Sequence, residues 1–181
     1  DAPTSGFDLS HHNVFFGDDY PREFSDIFEA RRITDRPTIY LCAQDRGEAC
    51  PPLRENDSER LLILVNAPAD GDLDGVTDRD LAALQKRTFS QLAASSLIVS
   101  SEPEHLHITR PQDFERLFPS TGGSLYGSAN HGAFASFERL TARTKIPGLY
   151  VAGGSVHPGP GVPMATLSGR LAAASVISDT R

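Results

Sequence analysis

The sequence contains no long apolar segment. Its longest aliphatic run is Leu61–Val65, whereas a membrane-spanning helix needs roughly 18 to 20 consecutive apolar residues. The first residues, DAPTSGFD, also lack the basic and apolar regions of a secretory signal peptide. With 39% hydrophobic residues and a mean hydropathy of −0.29, the composition is typical of a soluble globular chain.

Basic charge is scarce as well. Lys and Arg number 17 against 24 Asp and Glu, which gives a net charge of −7 and a pI near 5.3. The basic residues are scattered along the chain, whereas nucleic-acid binding needs clustered Lys and Arg to neutralise phosphates. The composition therefore argues against a nucleic-acid partner.

Motifs for thiol, zinc and hydrolytic chemistry are missing. Cys42 and Cys50 form neither a CxxC pair nor part of a four-ligand set, so we expect two reduced cysteines in a cytoplasmic protein. The chain has no G-x-S-x-G turn and no P-loop, and nothing in GGSVH activates Ser155. These absences argue against a hydrolase.

The first two thirds of the chain predict an α+β fold of ferredoxin-like βαββαβ order. Thr77, with Asp80 three residues later, resembles a capping box at the start of one helix. The predicted elements are a strand at 12–16, a helix at 21–32, strands at 38–43 and 60–66, a helix at 78–94 and a strand at 104–110.

The composition changes near Pro111. A short helix at 112–118 leads into PSTGGSLYGSANHGAF, which we interpret as a long ordered loop because such loops in compact domains are usually functional. A short buried strand at 148–154, a glycine-rich turn and a helix at 162–178 complete the prediction.

Two patterns suggest metal binding, and each has a simpler interpretation. DGDLDGVTDRDL matches much of an EF-hand loop, but Leu81 occupies the position of the bidentate Glu, which favours a solvated acidic turn. His105 and His107 share one face of the predicted strand without a third ligand. His11 and His12 point to opposite faces if a strand starts there. We expect no metal.

The stretch GGSVHPGPGVPMATLSGRLAA combines a glycine-rich turn with a helix start. Free N–H groups and the positive dipole end of that helix would suit a phosphate or an electron-rich carbonyl edge. The small-residue stripe of Ala165, Gly169 and Ala173 would allow close packing against a sheet. The alternative is a glycine-rich loop that merely caps an ordinary helix.

GLYVAGGSVHPGPGVPMATLSGRLAA resembles the C-terminal, FAD-contacting segment of carotenoid desaturases of the phytoene desaturase type. Three upstream segments are similar to the same family in order and spacing, and the similarity is most specific to its hydroxyneurosporene (methoxyneurosporene) desaturases, the 1-hydroxycarotenoid 3,4-desaturases. These segments are HHNVFFGDDYPREFSDIF, PTIYLCAQDR and GGSLYGSANHGAFASFERL.

The resemblance implies FAD as cofactor and a set of contacting residues. In that family, a turn runs past the pyrophosphate and ribityl chain of FAD, and a helix begins directly after it. The N–H groups of the helix start meet the pyrimidine edge of the flavin ring, where the helix dipole would stabilise the reduced cofactor. The matching residues are Gly153, Gly154, Ser155, Gly161, Val162, Pro163 and Met164.

The loop at 122–134 is the candidate for lining a substrate tunnel near the flavin, with Tyr126 and His131 as its contact residues. For His131, ordinary loop packing is the alternative. The resemblance assigns no catalytic acid or base.

The family also has an N-terminal Rossmann strand, a G-x-G-x-x-G turn and an acidic ribose ligand, none of which occurs here. We therefore expect the C-terminal portion of a longer enzyme, in which residues 6–140 belong to the substrate domain and 148–181 complete a Rossmann-like FAD domain. Alone, such a chain should bind no flavin, show no activity, and self-associate through the apolar surface left by the missing half.

For the whole enzyme the resemblance implies desaturation of a hydroxylated or methoxylated acyclic carotenoid by hydride transfer to FAD. A carotenoid substrate implies a cytoplasmic enzyme peripheral to the inner membrane. Two alternatives stay open: a standalone ferredoxin-like binding module without catalysis, and a related flavin-dependent oxidase or saturase of another lipid or amine.

Overall fold

The computed structural model describes residues 2–48, 50, 53–54, 57–73, 75–100, 105–127 and 139–181. The chain divides into two compact units, Asp1–Gly123 and Ser124–Arg181. The first unit contains the strands β1 (Thr4–Ser5), β2 (His12–Phe15), β3 (Ile39–Ala43), β4 (Leu61–Val65) and β5 (Ile98–Val99), and the helices α1 (Tyr20–Phe28), α2 (Asp78–Ala94) and α3 (Pro111–Leu117). The second contains α4 (Val162–Asp179).

Two small antiparallel sheets form the first unit. One has the strand order β2-β3-β4, and the other pairs β1 with β5. In the larger sheet Phe15 lies opposite Ile39, and Ile39 lies opposite Val65. The predicted strands at 12–16, 38–43 and 60–66 are thus confirmed, each one residue or more shorter than expected.

The core lies on one face of the three-stranded sheet. Because side chains alternate along a strand, Ile39, Leu41 and Ala43 of the central strand β3 all face this core and are completely buried. Leu92 of α2 belongs to the same cluster, so α2 supplies a cover for the face. Each large aliphatic side chain buried here stabilises the fold by about 1.5–3 kcal/mol.

Helix α2 begins and ends where the sequence predicts. Its N-cap is Thr77, whose hydroxyl accepts a hydrogen bond from the Asp80 N–H while the Asp80 carboxylate accepts one from the Thr77 N–H. The predicted capping box is confirmed. The hydrogen bonds from Thr77 also hold the pKa of Asp80 below its ordinary value.

Helix α1 has its polar side inward and its aromatic side outward. Buried Glu23 accepts hydrogen bonds from the backbone N–H of Thr38 and from the amide of Asn66, at 3.0 and 3.1 Å. Phe24 and Phe28 are exposed. The sequence correctly predicts an amphipathic helix, but α1 ends at Phe28 rather than at residue 32. Its buried face is the one that carries Glu23 and Asp26.

The ferredoxin-like topology is not found in the part of the chain that the structure describes. In a ferredoxin-like unit a helix connects two parallel strands, whereas α1 connects β2 and β3, which are antiparallel neighbours. Glu23 binds the residue just before β3 and the residue just after β4. This holds α1 at the end of the sheet rather than across its face.

Two predicted strands are also wrong. Residues 105–110 form no strand and lead into α3, which begins at Pro111; residue 104 lies outside the described residues. Residues 148–154 make a single bridge, between Tyr150 and Arg143. Both segments have strand-like patterns, but a strand also needs a neighbour with free backbone groups.

The predicted C-terminal helix at 162–178 is confirmed as α4, which extends one residue further. The short predicted helix at 112–118 is confirmed as α3, which lies one residue earlier at both ends. No helix in the described segments is both long enough and apolar enough to cross a membrane.

Candidate functional site

The glycine-rich turn before α4 has a backbone that only glycine adopts easily. Gly153, Gly159 and Gly161 have φ values of 134°, 135° and 97°, in the region where a Cβ would be strained. The turn is tied back to the helix, because the Gly153 N–H donates a hydrogen bond of 3.1 Å to the hydroxyl of fully buried Ser168.

This turn leaves space beside its backbone. Among the described residues, no atom lies within 4 Å of the position that a Cβ would take at Gly153 or Gly161. At Gly154 the nearest atom is the Pro160 Cα, at an ordinary contact distance of 3.6 Å. A ligand can therefore approach these peptide groups closely.

The start of α4 presents uncapped peptide groups. Gly161 is the N-cap and offers no side chain, the first turn contains no acidic residue, and Pro163 lies near the helix start. Val162 is 82% exposed. The N–H groups of the first turn, together with the helix dipole, form a site of positive potential.

The other end of α4 is held by an ion pair. The Arg143 guanidinium donates two hydrogen bonds to the Asp179 carboxylate, at 3.0 and 2.9 Å, and the Tyr150 hydroxyl donates a third at 2.8 Å. These bonds lower the pKa of Asp179 to about 2. The same carboxylate raises the pKa of the Tyr150 hydroxyl.

The structure brings the predicted substrate residue Tyr126 next to the predicted cofactor turn. Gly127 approaches Ser155 so closely that a Cβ on Gly127 would lie 2.9 Å from the Ser155 Cβ. The Tyr126 side chain is 61% exposed. His131, the other predicted substrate residue, lies outside the described residues.

Arg139 connects these two segments, and sequence reasoning missed it. Its Nη1 donates to the Tyr126 carbonyl at 3.0 Å and to the Gly154 carbonyl at 3.5 Å. The signal in the sequence was a basic residue five positions after the end of the glycine-rich loop at Phe134. Its role becomes visible only when both carbonyl groups have been placed.

The remaining candidates for metal binding lie in the first unit. His105 and His107 lie in an irregular segment, so the shared strand face proposed for them is wrong. His11 and His12 were expected on opposite faces, yet their ring centroids lie only 4.3 Å apart. The reason is that β2 begins at His12, so His11 lies outside the alternation of the strand.

An aromatic column follows α1 on the outside of the molecule. Ring centroids are separated by 5.8 Å between Phe16 and Tyr20, 5.0 Å between Tyr20 and Phe24, and 6.1 Å between Phe24 and Phe28. All four side chains are exposed. We call these four residues the aromatic column.

Comparison with known proteins gives the family context. Residues 13–177 match the model of the flavin containing amine oxidoreductases. Over 98% of its length the chain is 49% identical to the hydroxyneurosporene desaturase of Rubrivivax gelatinosus and 43% identical to that of Cereibacter sphaeroides. It is 34% identical, over 94% of its length, to the 4,4'-diapolycopene oxygenase of a Methylomonas species.

These alignments cover 33%, 34% and 34% of the three relatives. The chain thus spans about a third of the length of the curated relatives it matches.

Proposed function

Because the chain belongs to the flavin-containing amine oxidoreductase family, we propose that it is the C-terminal portion of an FAD-dependent desaturase of a hydroxylated or methoxylated acyclic carotenoid. The observation that carries this proposal is the identity of 43–49% with hydroxyneurosporene desaturases over almost the whole chain. We assign residues 6–140 to the substrate domain and residues 148–181 to the Rossmann-like FAD domain.

The residues of the C-terminal turn fit a flavin. Gly153, Gly154 and Ser155 would lie along the pyrophosphate and ribityl chain, because the open backbone at Gly153 admits a close ligand. The first turn of α4, from Gly161 through Val162 and Pro163 to Met164, would meet the electron-rich edge of the ring with the N–H groups of its non-proline residues. The flavin, when bound, supplies the acceptor for the hydride that leaves the substrate.

The protein's own contribution is to position both molecules. The Gly153–Ser168 hydrogen bond keeps the turn in register with α4, and Arg139 holds the Tyr126 segment against Gly154. Tyr126 and His131 would then line the path of the substrate beside the flavin. In such a reaction, much of the rate enhancement comes from holding the reactive cofactor and the allylic carbon of the substrate in the correct relative orientation.

Helix α4 supports the assignment to a larger FAD domain. It has 18 residues, of which Ser168 is the buried one, and Leu167 and Leu171 are exposed. No atom of the described residues lies within 4 Å of a Cβ built on Gly169, in the middle of its small-residue stripe. The rest of the FAD domain would cover this surface.

We place the enzyme in the cytoplasm, at the surface of the inner membrane. Carotenoids dissolve in lipid, and the aromatic column offers amphipathic Tyr20 together with three Phe rings at the surface.

The test is conversion of substrate by the longer protein that contains this chain. A 1-hydroxylated acyclic carotenoid should lose two hydrogen atoms per turnover, as measured by mass spectrometry, and FAD should be reduced in the absence of an electron acceptor. A product that gains oxygen instead would assign the chain to the activity named for its Methylomonas relative. An amine substrate that reduces the flavin while carotenoids do not would overturn the proposal.

A further inference from the structure

Three side chains with metal-ligating atoms meet on the outer face of the β2-β3-β4 sheet. One ring nitrogen of His11, one of His12 and the Cys42 sulfur all lie within 4.8 Å of one another. His12 lies directly opposite Cys42 in the β2–β3 register. The Ala43 N–H donates to the His11 carbonyl, so His12 and Cys42 form a non-hydrogen-bonded pair, in which side chains approach most closely.

The hydrogen bond of His11 leaves its Nε2, the ring nitrogen nearer Cys42, free to bind a metal. Its Nδ1 lies 3.0 Å from the Ala43 carbonyl, which can only accept, so Nδ1 carries the proton and Nε2 keeps its lone pair. Nε2 lies 3.8 Å from the Cys42 sulfur. Around a tetrahedral zinc ion, nitrogen and sulfur ligands are separated by about 3.5 Å, given bond lengths of about 2.0 and 2.3 Å.

His12 is oriented by a neighbour on β3. Its Nδ1 lies 2.8 Å from the Tyr40 hydroxyl, and the two rings are nearly parallel, at 25°. Metal-binding histidines typically have their second nitrogen held in this way by a carbonyl, a carboxylate or water. Both imidazoles are therefore restrained by partners outside the cluster.

We propose that His11, His12 and Cys42 form a zinc site with a fourth, open coordination position. Imidazole nitrogen and thiolate sulfur are ligands that zinc prefers, whereas Mg²⁺ and Ca²⁺ prefer oxygen ligands. On binding, the Cys42 thiol releases its proton to solvent and the thiolate sulfur donates an electron pair to the ion. The site would link β2 to β3 independently of the flavin. The sequence alone predicts no metal, because it does not show that β2 pairs with β3.

The experiment uses the 181-residue chain, stripped of metal under reducing conditions, and titrates it with zinc by calorimetry and with cobalt by visible spectroscopy. We expect one zinc ion per chain, and cobalt bands typical of a tetrahedral site with thiolate-to-metal charge transfer. Cys42→Ser and His11→Ala should each weaken zinc binding by about tenfold or more, and Tyr40→Phe by about tenfold.

Cys50→Ser is the matched control, because Cys50 is the other free cysteine and is not part of the cluster. It should leave zinc affinity and the cobalt spectrum unchanged. Since Cys42 is buried and its substitution could unfold the sheet, alkylation of the unmodified chain supplies a second measurement, in which zinc should protect Cys42 and not Cys50. Cobalt bands without thiolate character, equal protection of both cysteines, or unchanged affinity in Cys42→Ser would each overturn the proposal.

Discussion

At the scale of single residues, Glu59 is a buried carboxylate of the first unit. Its side chain is 1% exposed, and its carboxylate accepts hydrogen bonds from Arg46, at 2.8 and 2.9 Å, and from the Thr4 hydroxyl. Burial alone would raise the pKa of Glu59, but these hydrogen bonds outweigh it and the pKa lies below its ordinary value.

Glu59→Gln should therefore lower the free energy of unfolding by about 3 kcal/mol, because Arg46 would lose its buried carboxylate partner and keep, among the described residues, only exposed Asp8, at 3.8 Å. Urea unfolding at neutral pH measures this loss. In the unmodified chain the contribution is complete above the ordinary pKa and disappears as the pH falls through the lower, folded pKa. Asp45→Asn, which removes an exposed pair with Arg60, is the control and should have a much smaller effect.

Gly154 tests how closely the cofactor approaches the turn. The chain has room for a Cβ there, so Gly154→Ala should leave the melting temperature of the 181-residue chain unchanged. In the longer protein the methyl group would meet the flavin, and FAD affinity should fall by about tenfold, equivalent to about 1.4 kcal/mol. Flavin fluorescence titration measures the affinity, with Gly47→Ala as the control. Unaltered affinity in Gly154→Ala would remove the turn from the flavin site.

At the scale of elements, α4 depends on Asp179 at its C-terminal end. The pKa of Asp179 is about 2 because Arg143 and Tyr150 bind its ionised form. The anchor is thus fully formed above the ordinary pKa near 3.8 and is lost as the pH falls through about 2.

Asp179→Asn should reproduce at neutral pH the fraying that acid produces in the unmodified chain. We expect faster amide exchange in the last turn of α4 and no change in α2, as measured by NMR. Asp78→Asn, which removes an exposed partner of Arg110, is the matched control. Exchange rates in the last turn that match those of the unmodified chain would contradict the role given to Asp179.

The aromatic column gives α1 an exposed apolar face. Phe24→Ser should leave the free energy of unfolding nearly unchanged, because Phe24 is exposed, and it should reduce both self-association and binding to anionic vesicles. Sedimentation velocity and vesicle flotation measure the two effects. Phe15→Ser, at a buried position of β2, should instead destabilise the chain by about 3–5 kcal/mol, the cost of removing a core Phe.

At the scale of the whole molecule, helices were easier to predict than sheets. The bounds of α2 follow from Thr77, Asp80 and the apolar spacing, all of which are local. Residues 105–110 alternate like a strand and are not one, because alternation does not reveal whether a partner strand is present. The same limit applies to the site: glycine positions identify the turn, but Arg139 and the His11–His12–Cys42 cluster depend on contacts between distant segments.

The whole-molecule prediction concerns the cofactor. The 181-residue chain alone should bind no FAD, because a helix start and a turn provide only part of a dinucleotide site and the G-x-G-x-x-G turn is missing from this sequence. Absorbance of the purified chain near the flavin bands, before and after incubation with FAD, measures this. A chain that stays yellow through gel filtration would contradict it.

The two ends of α4 are held differently. The end at Asp179 is held by three hydrogen bonds, whereas the end at Gly161 has no side-chain cap among the described residues. We therefore expect opening fluctuations to start at the Gly161 end, which we propose faces the flavin, and to stop at the anchored end. The cofactor would then act as the missing cap. FAD binding should slow amide exchange in the first turn of α4 and leave exchange in the last turn unchanged.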